Sequence, residues 1–523
     1  MKAPLRHLLE SAEPIPKQAH LVVLFDAWKA GDYFTAFDNL HRYFDYAMQA
    51  RERMYYQYAL LHMAILQADF GCFDEAIAAM NETIATAREN QDLHCLNFSL
   101  NWLNHMSRAY PKEMRRAGYV STLGSEKEAL AFLKAKAKET RAYHLLHATL
   151  LNEAKLCLIS GGSVSRAFEH MYQSSHLNIK ERLKKNGSHL FFQSALYSRL
   201  GNIYLSEAYC QLLLDCYHYE CPLDERIKAY GRRAFLALQW GRYEEALNLL
   251  ASAETVAHRS LKLHQYIFLC TGLVKLKRAI NHKDWKACEA LFSQLRPDSS
   301  ADPELVFVLS QSRIDYLVAR YQYSEAWEAV DELAITAKEE RADIMQRISS
   351  LIAKAVLYKR LGRPEKGFSV ALRAASVACK ARLEKCLFIA VGLLANILNS
   401  AADYNAAIRL LNAIIPKSLE NGDPHVIGTL YSHIADAYMG LAGLDEVPDS
   451  TGARSRASLV SRAEMYIDRA RECFHTTEDV VAECGQFMKK AIIAKLRGDE
   501  ELAEEWAQNH NRVWEKWHAS HLK

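Results

Sequence analysis

Four residues of types that bind zinc lie close together in the stretch CQLLLDCYHYEC. They are Cys210, Cys216, His218 and Cys221. Structural zinc sites usually place two to four residues between paired ligands, whereas five residues separate Cys210 from Cys216. If 203–216 is a helix, these two cysteines also face different sides, because six residues turn the chain by about 600°. The spacing therefore favours buried thiols beside a solvated histidine over a zinc site.

Two other patterns contain residue types used in catalysis. His144 and His147 share one face of a predicted helix, but no third ligand or acid stands beside them, so we expect solvated polar residues. The stretch GGSVS, 161–165, lacks the lysine and the preceding strand of a phosphate-binding loop and is typical of a turn between helices. Nucleophile-elbow, metalloprotease and Rossmann motifs do not occur in the sequence. We expect no enzymatic activity, cofactor, metal site or small-molecule substrate.

The composition narrows the classes of partner. In 523 residues, 65 Lys and Arg against 62 Asp and Glu give a net charge of +3, which does not provide the positive field typical of general nucleic-acid binding. No run approaches the roughly 18 apolar residues that cross a membrane. The N-terminus lacks the features of a secretory signal, and scattered cysteines are typical of a reducing compartment. We expect a protein of the nucleus and cytoplasm that binds neither nucleic acid nor membranes.

A repeated pattern runs through most of the chain. Gly and Pro are sparse and apolar residues recur at helical spacing, so the chain is predicted to be nearly all helix. Eight stretches, among them KAGDYFTAFDNL and LQWGRYEEALNLL, contain a turn, then a small residue, then a large apolar one. The turn glycines and small residues are Gly31, Ala36, Gly71, Ala76, Gly241, Ala246, Cys288, Ala326, Gly362, Gly367, Ala407, Gly498 and Ala503.

The small residues recur about every 40 positions, as from Ala36 to Ala76 (76−36=40). A glycine in the left-handed conformation can end one helix, and the small residue lets the next helix pack closely against it. This predicts an all-α, tetratricopeptide-like helical-repeat superhelix, or α-solenoid, with a period of about 40 residues. Between Ala76 and Ala246 the period is harder to follow, with weak units at Gly162 and Ala167 and near Ala208.

The predicted domain organisation follows the breaks in this period. It consists of an N-terminal extension (1–20), first repeats (21–110), a loop (111–128) and further repeats (129–523) with a disordered insert (444–462). The insert makes the interval between Ala407 and Ala463 longer than the repeat period and separates the two helices of one repeat.

The insert carries hydroxyl groups beside arginines. Its candidate phosphorylation residues are Ser450, Thr451, Ser455 and Ser458. Phosphorylation would convert a basic loop into an acidic one and change a contact. The alternative is a disordered loop without a role.

Residues 40–105 resemble a known family. The blocks LHRYFDYAM, YQYALLHMAILQADFGCFDEAIAAMNETIATARENQD and CLNFSLNWLNHM are similar, in order and spacing, to subunit 5 of the anaphase-promoting complex (cyclosome), a ubiquitin ligase of mitosis. The resemblance covers about 25–110, and the rest is compatible with the family as a tetratricopeptide array. Members carry a further helical N-terminal domain, for which no counterpart is visible before LVVLFDAW, so we expect this chain to lack it.

The resemblance implies a non-catalytic scaffold for cell-cycle-regulated ubiquitination. The resemblance implies a place in the platform of the complex beside subunits 1 and 4, with subunit 15 nearby, where family members help to join the catalytic module to the arch-shaped repeat subunits. An alternative is another helical-repeat adaptor, such as a peptide-binding cochaperone, which would need a polar, basic groove. In the repeat near Gln57 the expected groove positions are apolar, which argues against that alternative. They are Tyr58, Leu61, Ile65 and Ala68.

The stretch HRYFDY provides the candidate interface. Its members are Arg42, Tyr43, Phe44 and Tyr46. Aromatic residues at helical spacing usually fill a core, and this interpretation is favoured. The alternative is that at least one ring anchors a partner, since Tyr, Phe and Arg are frequent in protein interfaces. Arg42 and Asp45 lie three residues apart, close enough to pair.

Overall fold

The computed structural model describes residues 17–49, 56–119, 125–219, 221–257, 260–296, 302–339, 342–444 and 450–520. Throughout these ranges the chain is helical and contains no strand. The helices are α1 Lys17–Ala30, α2 Tyr33–Gln49, α3 Tyr56–Asp69, α4 Phe73–Glu89, α5 Leu93–Ala109, α6 Pro111–Arg116, α7 Glu126–Glu139, α8 Tyr143–Ile159, α9 Val164–Lys180, α10 Asn186–Arg199, α11 Ile203–Cys216, α12 Leu223–Gln239, α13 Tyr243–Ala257, α14 Leu261–Asn281, α15 Trp285–Gln294, α16 Pro303–Ala319, α17 Tyr323–Glu339, α18 Ile344–Arg360, α19 Pro364–Lys380, α20 Glu384–Ser400, α21 Tyr404–Asn421, α22 Pro424–Leu444, α23 Ser450–Thr476, α24 Val480–Arg497 and α25 Glu500–Ser520.

These helices pack as twelve consecutive pairs within the described ranges. The pairs are α1 with α2, α3 with α4, α5 with α7, and then α8 with α9 through α24 with α25. In most second helices the fourth residue is small and buried. Those residues are Ala36, Ala76, Ala129, Ala167, Ser206, Ala246, Cys288, Ala326, Gly367 and Ala407, while Ala503 at the chain's end is half-buried. The predicted all-α helical-repeat superhelix is confirmed.

A left-handed residue precedes the second helix in most pairs. It is glycine at five of the sequence-predicted positions, Gly31, Gly71, Gly241, Gly362 and Gly498, with φ between +72° and +86°. Non-glycine residues take the same place elsewhere, as at Lys283 (φ +55°), Tyr321 (φ +64°) and Ala402 (φ +61°). Most pairs thus share this turn geometry, including several in which its sequence signal, the glycine, is missing.

The structure defines the repeat register between Ala76 and Ala246. Ala129, Ala167 and Ser206 are the buried small residues of the third, fourth and fifth pairs. Their positions differ by 38 (167−129) and 39 (206−167). The unit expected near Ala208 is therefore misplaced by two residues, because Ser206 is buried against the first helix of its pair and Ala208 is exposed.

The predicted loop 111–128 and the predicted N-terminal extension 1–20 both contain helical residues. The predicted loop 111–128 contains α6, and α7 begins at Glu126 behind a capping box of Ser125 and Glu128. Helix α1 already begins at Lys17, within the predicted N-terminal extension. Residues 120–124 lie outside the described part of the chain.

The prediction of a disordered insert is wrong over 450–462, because α23 begins at Ser450. Residues 445–449 lie outside the described residues, as do the side chains of Ser450, Thr451 and Ser455, whereas Ser458 is described and exposed. Leu459 and Val460 already pack against the neighbouring cores, ahead of the buried Ala463, so the beginning of α23 extends the helix in front of its packed part. Ala and Arg favour helix, and this propensity prevails over the polar, loop-like composition.

Residues far apart in sequence meet where successive turns of the superhelix touch. The indole Nε1 of Trp240 donates to the carbonyl oxygen of Gly422 at 3.0 Å. The hydroxyl of Tyr243 donates to the carbonyl oxygen of Thr477 at 3.1 Å. Gly201, in the fifth pair, faces Glu384 at the start of the tenth. One superhelical turn therefore takes about five pairs (10−5=5), and neighbouring turns are in contact.

An ionic cluster joins the same turns. The guanidinium of Arg278 contacts the Glu478 carboxylate at 2.9 Å and Glu244 at 2.7 Å. The buried imidazole of His282 lies 2.9 Å from Glu478. Burial by itself raises the pKa of Glu478, but hydrogen bonds from His282 and Arg278 outweigh it, so its pKa lies below the usual 4.5. The carboxylate is therefore ionised and bound to both side chains at neutral pH.

We expect Glu478→Gln to lower the free energy of unfolding by about 2 kcal/mol at pH 7, because it removes a charged partner that is less than one-third exposed. Because the folded pKa of Glu478 is depressed, this stabilisation is present above about pH 4.5 and is lost as the pH falls below it. Urea denaturation of both proteins at several pH values measures the difference. Glu244→Gln is the matched control, since the 74% exposed Glu244 side chain contributes little.

Candidate interaction surfaces

The predicted interface HRYFDY lies on α2. Arg42 pairs with Asp38 at 3.0 Å, so the expected pairing with Asp45 is wrong. Tyr43 is half-buried, and the Tyr46 side chain lies outside the described residues. Phe44 is 9% exposed and belongs to the core between the first two pairs. The structure thus assigns Phe44 to packing, and a partner-binding role for Arg42, Tyr43 or Tyr46 stays a prediction.

Helix α2 presents the aromatic residue Phe34 to solvent, with 84% of its surface exposed. The buried stripe of this helix contains Ala36, Leu40 and Phe44, spaced four apart. Phe34 precedes Leu40 by six residues, which places it about 120° around the helix axis from the centre of the stripe, so it points away from the core. The helical period was the signal that could have identified it, and sequence reasoning missed it.

The zinc-type residues near the end of α11 do not converge. Cys210 is fully buried and Cys221 nearly so, whereas Cys216 is exposed, so the expectation of buried thiols is wrong for Cys216. Burial, together with a hydrogen bond to Glu225, raises the pKa of Cys221 to about 12. Across the described ranges, no group of three or more His, Cys, Asp or Glu side chains is placed to hold a metal ion.

The histidine pair on α8 also differs from expectation. His144 is exposed, but His147 is buried, so its predicted solvation is wrong. The Ser174 hydroxyl lies 2.6 Å from Nδ1 of His147, a distance compatible with a nucleophile and its base. Ser174 is 0% and His147 3% exposed, however, so no substrate could reach the hydroxyl. This pair satisfies polar groups between α8 and α9.

The positions expected to face a groove in α3 belong instead to the core. Leu61 and Ala68 are buried, and Tyr58 and Ile65 pack against the same cluster around Phe73. Their apolar character therefore reflects packing between pairs and gives no information about a peptide groove. These four residues therefore do not count against a peptide-binding adaptor.

None of the helices within the described ranges combines the length and the apolar character needed to cross a bilayer.

Comparison with known proteins identifies relatives of the chain. The family model "Anaphase-promoting complex subunit 5" matches residues 20–110. The protein of that name from Schizosaccharomyces pombe is 25% identical over 479 residues, which cover 91% of this chain and 62% of the relative. The Homo sapiens protein is 21% identical over 387 residues, 70% of this chain and 48% of the relative. The predicted resemblance is confirmed, and the chain spans about half to three-fifths of the length of these relatives.

Among solved structures, "Crystal structure of APC/C hetero-tetramer Cut9-Hcn1" is 11% identical and covers 97% of this chain and 98% of the other, with a TM-score of 0.36. A TM-score this low does not establish a shared fold.

Proposed function

We propose that this chain is a non-catalytic scaffold subunit of an anaphase-promoting complex. The observation that carries the proposal is its similarity to subunit 5 of that complex along 91% of its length. Contacts between superhelical turns, such as Tyr243 with Thr477, support it, because they hold distant surfaces at fixed spacing. In this role the chain positions the platform and catalytic modules during cell-cycle-regulated ubiquitination and transfers no ubiquitin itself.

The partners in this proposal are protein subunits of the complex. Subunits 1, 4 and 15, which the family resemblance implies, are the expected neighbours, in the nucleus and cytoplasm. The residues predicted for phosphorylation would act on a helix rather than a loop, since Ser450 begins α23. A phosphate on Ser450 or Thr451, in the first turn of α23, would stabilise the helix end through its dipole.

Affinity purification of the tagged chain from mitotic cells, followed by mass spectrometry at moderate salt, tests the proposal. We expect the large platform subunits to be recovered together with the chain. Recovery of chaperones alone, or of no specific protein, would contradict the scaffold role.

We expect Phe34→Ala to reduce recovery of these subunits severalfold without changing the melting temperature. The ring is 84% exposed, so its removal costs little folding free energy, whereas an aromatic anchor at a protein interface contributes about 2 kcal/mol or more. Quantitative mass spectrometry of the co-purified proteins measures the effect. Phe98→Ala, at another exposed ring within the matched residues 20–110, is the control. Equal recovery by wild type and Phe34→Ala would remove Phe34 from the interface.

A further inference from the structure

The first helices of the last three pairs, α20, α22 and α24, can be compared position by position. Their first residues are Glu384, Pro424 and Val480. The caps of α22 and α24 agree with this alignment, because the side chains of Asp423 and Asp479 each accept from the backbone N–H three residues on. Three positions in these helices, the second, the ninth and the thirteenth, lie on the side that receives the next pair.

In α22 all three positions contact α24. Nε2 of His425 lies 3.3 Å from the carboxylate of Asp479, the N-cap of α24. Oγ of Ser432 accepts from Nζ of Lys489 at 2.8 Å, and the Asp436 carboxylate contacts the same ammonium group at 2.5 Å. The contact from one first helix to the next is therefore polar at each of these positions.

The same positions of α20 contact α22. Lys385 pairs with Asp423 at 2.8 Å, and Nδ2 of Asn396 lies 3.3 Å from Nε2 of His433. At the ninth position the chain has Gly392, where a Cβ would lie 2.8 Å from a leucine side chain of α22. In both pairs, then, the side that receives the next helix carries polar residues or glycine.

On α24 the three positions are apolar and open to solvent. Val481 is 39%, Met488 50% and Ile492 49% exposed. The outer face of the last unit in a repeat array is usually polar, because water covers it. Here the contacts between consecutive first helices are polar, and the corresponding side of the last one is apolar. We call these three residues the end face; they lie where the first helix of a further pair would pack.

The second helix of the last pair adds a charge beside the end face. Ala463 on α23 and Ala503 on α25 are the small residues of their pairs, so Glu464 and Glu504 occupy equivalent positions. Glu464 binds Arg497 of α24 at 2.7 Å. Glu504 is exposed and would meet the corresponding residue of a helix packed on the end face. A basic residue of that helix would complement it.

We propose that the end face binds an amphipathic α-helix of another protein, which lies along α24 as α24 lies along α22. Its apolar face covers Val481, Met488 and Ile492, and a lysine or arginine on its flank pairs with Glu504. The occupant is inferred to be a helix because it continues a contact that two consecutive pairs already make, and apolar helix faces bind each other in this way. The inference rests on the last three pairs and does not depend on the scaffold role.

Fluorescence anisotropy of the full chain tests the end face with three pools of fluorescein-labelled peptides, each about five helical turns long. The basic pool has apolar residues at helical spacing and lysines beside them. The acidic pool has glutamates in place of the lysines, and the scrambled pool has the composition of the basic pool without the spacing. We expect saturable binding of the basic pool, severalfold weaker binding of the acidic pool and about tenfold weaker binding of the scrambled pool. Equal binding of the basic pool and either other pool would overturn the proposal.

Two matched variants assign the binding to the end face. Met488→Gln is expected to weaken binding of the basic pool about tenfold, because an apolar contact is lost. Met465→Gln, at a methionine of α23 that is 42% exposed, should leave binding unchanged. Both methionines are largely exposed, so both variants should fold normally, which circular dichroism checks. Unchanged binding by Met488→Gln would overturn the site.

Sedimentation velocity of the chain without peptide tests the other occupant of this face, a second copy. We expect the wild-type chain and Met488→Gln to sediment alike. A wild-type dimer that Met488→Gln dissociates would show that a second copy covers the end face, and would overturn the assignment to another protein.

Discussion

Replacing Gly241 with alanine is expected to separate two turns of the superhelix, whereas the same replacement at Gly362 leaves them together. Both glycines occupy the same turn position, with φ of +75° and +72°. A Cβ at position 241 would lie 2.1 Å from the carbonyl oxygen of Thr476 and 2.7 Å from Cα of Thr477, in the next superhelical turn. A Cβ at position 362 would have no atom within 4 Å.

Both substitutions cost conformational free energy, but only Gly241→Ala also creates a steric clash. Each forces an L-residue into the left-handed region, which costs about 1–2 kcal/mol. At Gly241 the added methyl group also meets backbone, which cannot move aside by changing a rotamer. Relief requires the turns to move apart, with loss of the Tyr243 hydrogen bond to Thr477. We expect Gly241→Ala to lower the free energy of unfolding by about 4 kcal/mol in total, against about 1 kcal/mol for Gly362→Ala.

Urea denaturation and small-angle X-ray scattering together separate these effects. The radius of gyration should increase for Gly241→Ala and stay at the wild-type value for Gly362→Ala. Equal stability and equal dimensions for both variants would show that the turns do not touch at Gly241.

Phe44→Ala is expected to unfold the N-terminal pairs locally. Phe44 packs in the core that contains Leu24, Leu40 and Ala59, and its ring lies 6.4 Å from that of Tyr56. Removing a buried phenylalanine side chain costs about 3–5 kcal/mol. Since each unit of a repeat array contacts mainly its neighbours, the loss should be concentrated in the first pairs.

Hydrogen exchange with mass spectrometry measures where Phe44→Ala acts. We expect faster exchange in α1, α2 and α3. Helices that do not contact these three should show little change. Phe34→Ala is the control on the same helix, because its exposed ring should leave exchange unchanged. Two results would contradict the placement of Phe44 in the core and Phe34 on the surface. One is faster exchange of α1–α3 in Phe34→Ala, and the other is unchanged exchange in Phe44→Ala.

Local sequence signals predicted the repeat but not the contacts between successive turns of the superhelix. A glycine shortly before a buried alanine, as in Gly241 and Ala246, is a short-range pattern, so the repeat period was readable. The pair at Ala129 was readable too, since GSEKEALAFL carries the same spacing. The contact of Trp240 with Gly422 could not be predicted from the sequence. It depends on a curvature that accumulates over five pairs and leaves no local pattern.

The candidate sites also differ in whether the sequence could predict them. Helical spacing separates Phe34 from the stripe of Leu40 and Phe44, so the exposed ring of α2 could have been found from the sequence. The contact of Lys489 with Ser432 could not, because 57 positions separate the two residues and only the stacking of α22 and α24 brings them together. The helix at 450–462 was missed because composition was given more weight than propensity.

In the proposed role, a superhelix whose successive turns are in contact acts as a scaffold by holding its surfaces at fixed spacing. The most direct test is quantitative mass spectrometry of the platform subunits that co-purify with the tagged wild-type chain, Gly362→Ala and Gly241→Ala at equal bait levels and a permissive temperature. We expect equal recovery by wild type and Gly362→Ala, and severalfold lower recovery by Gly241→Ala. Equal recovery by all three, with the radius of gyration increased for Gly241→Ala, would contradict it.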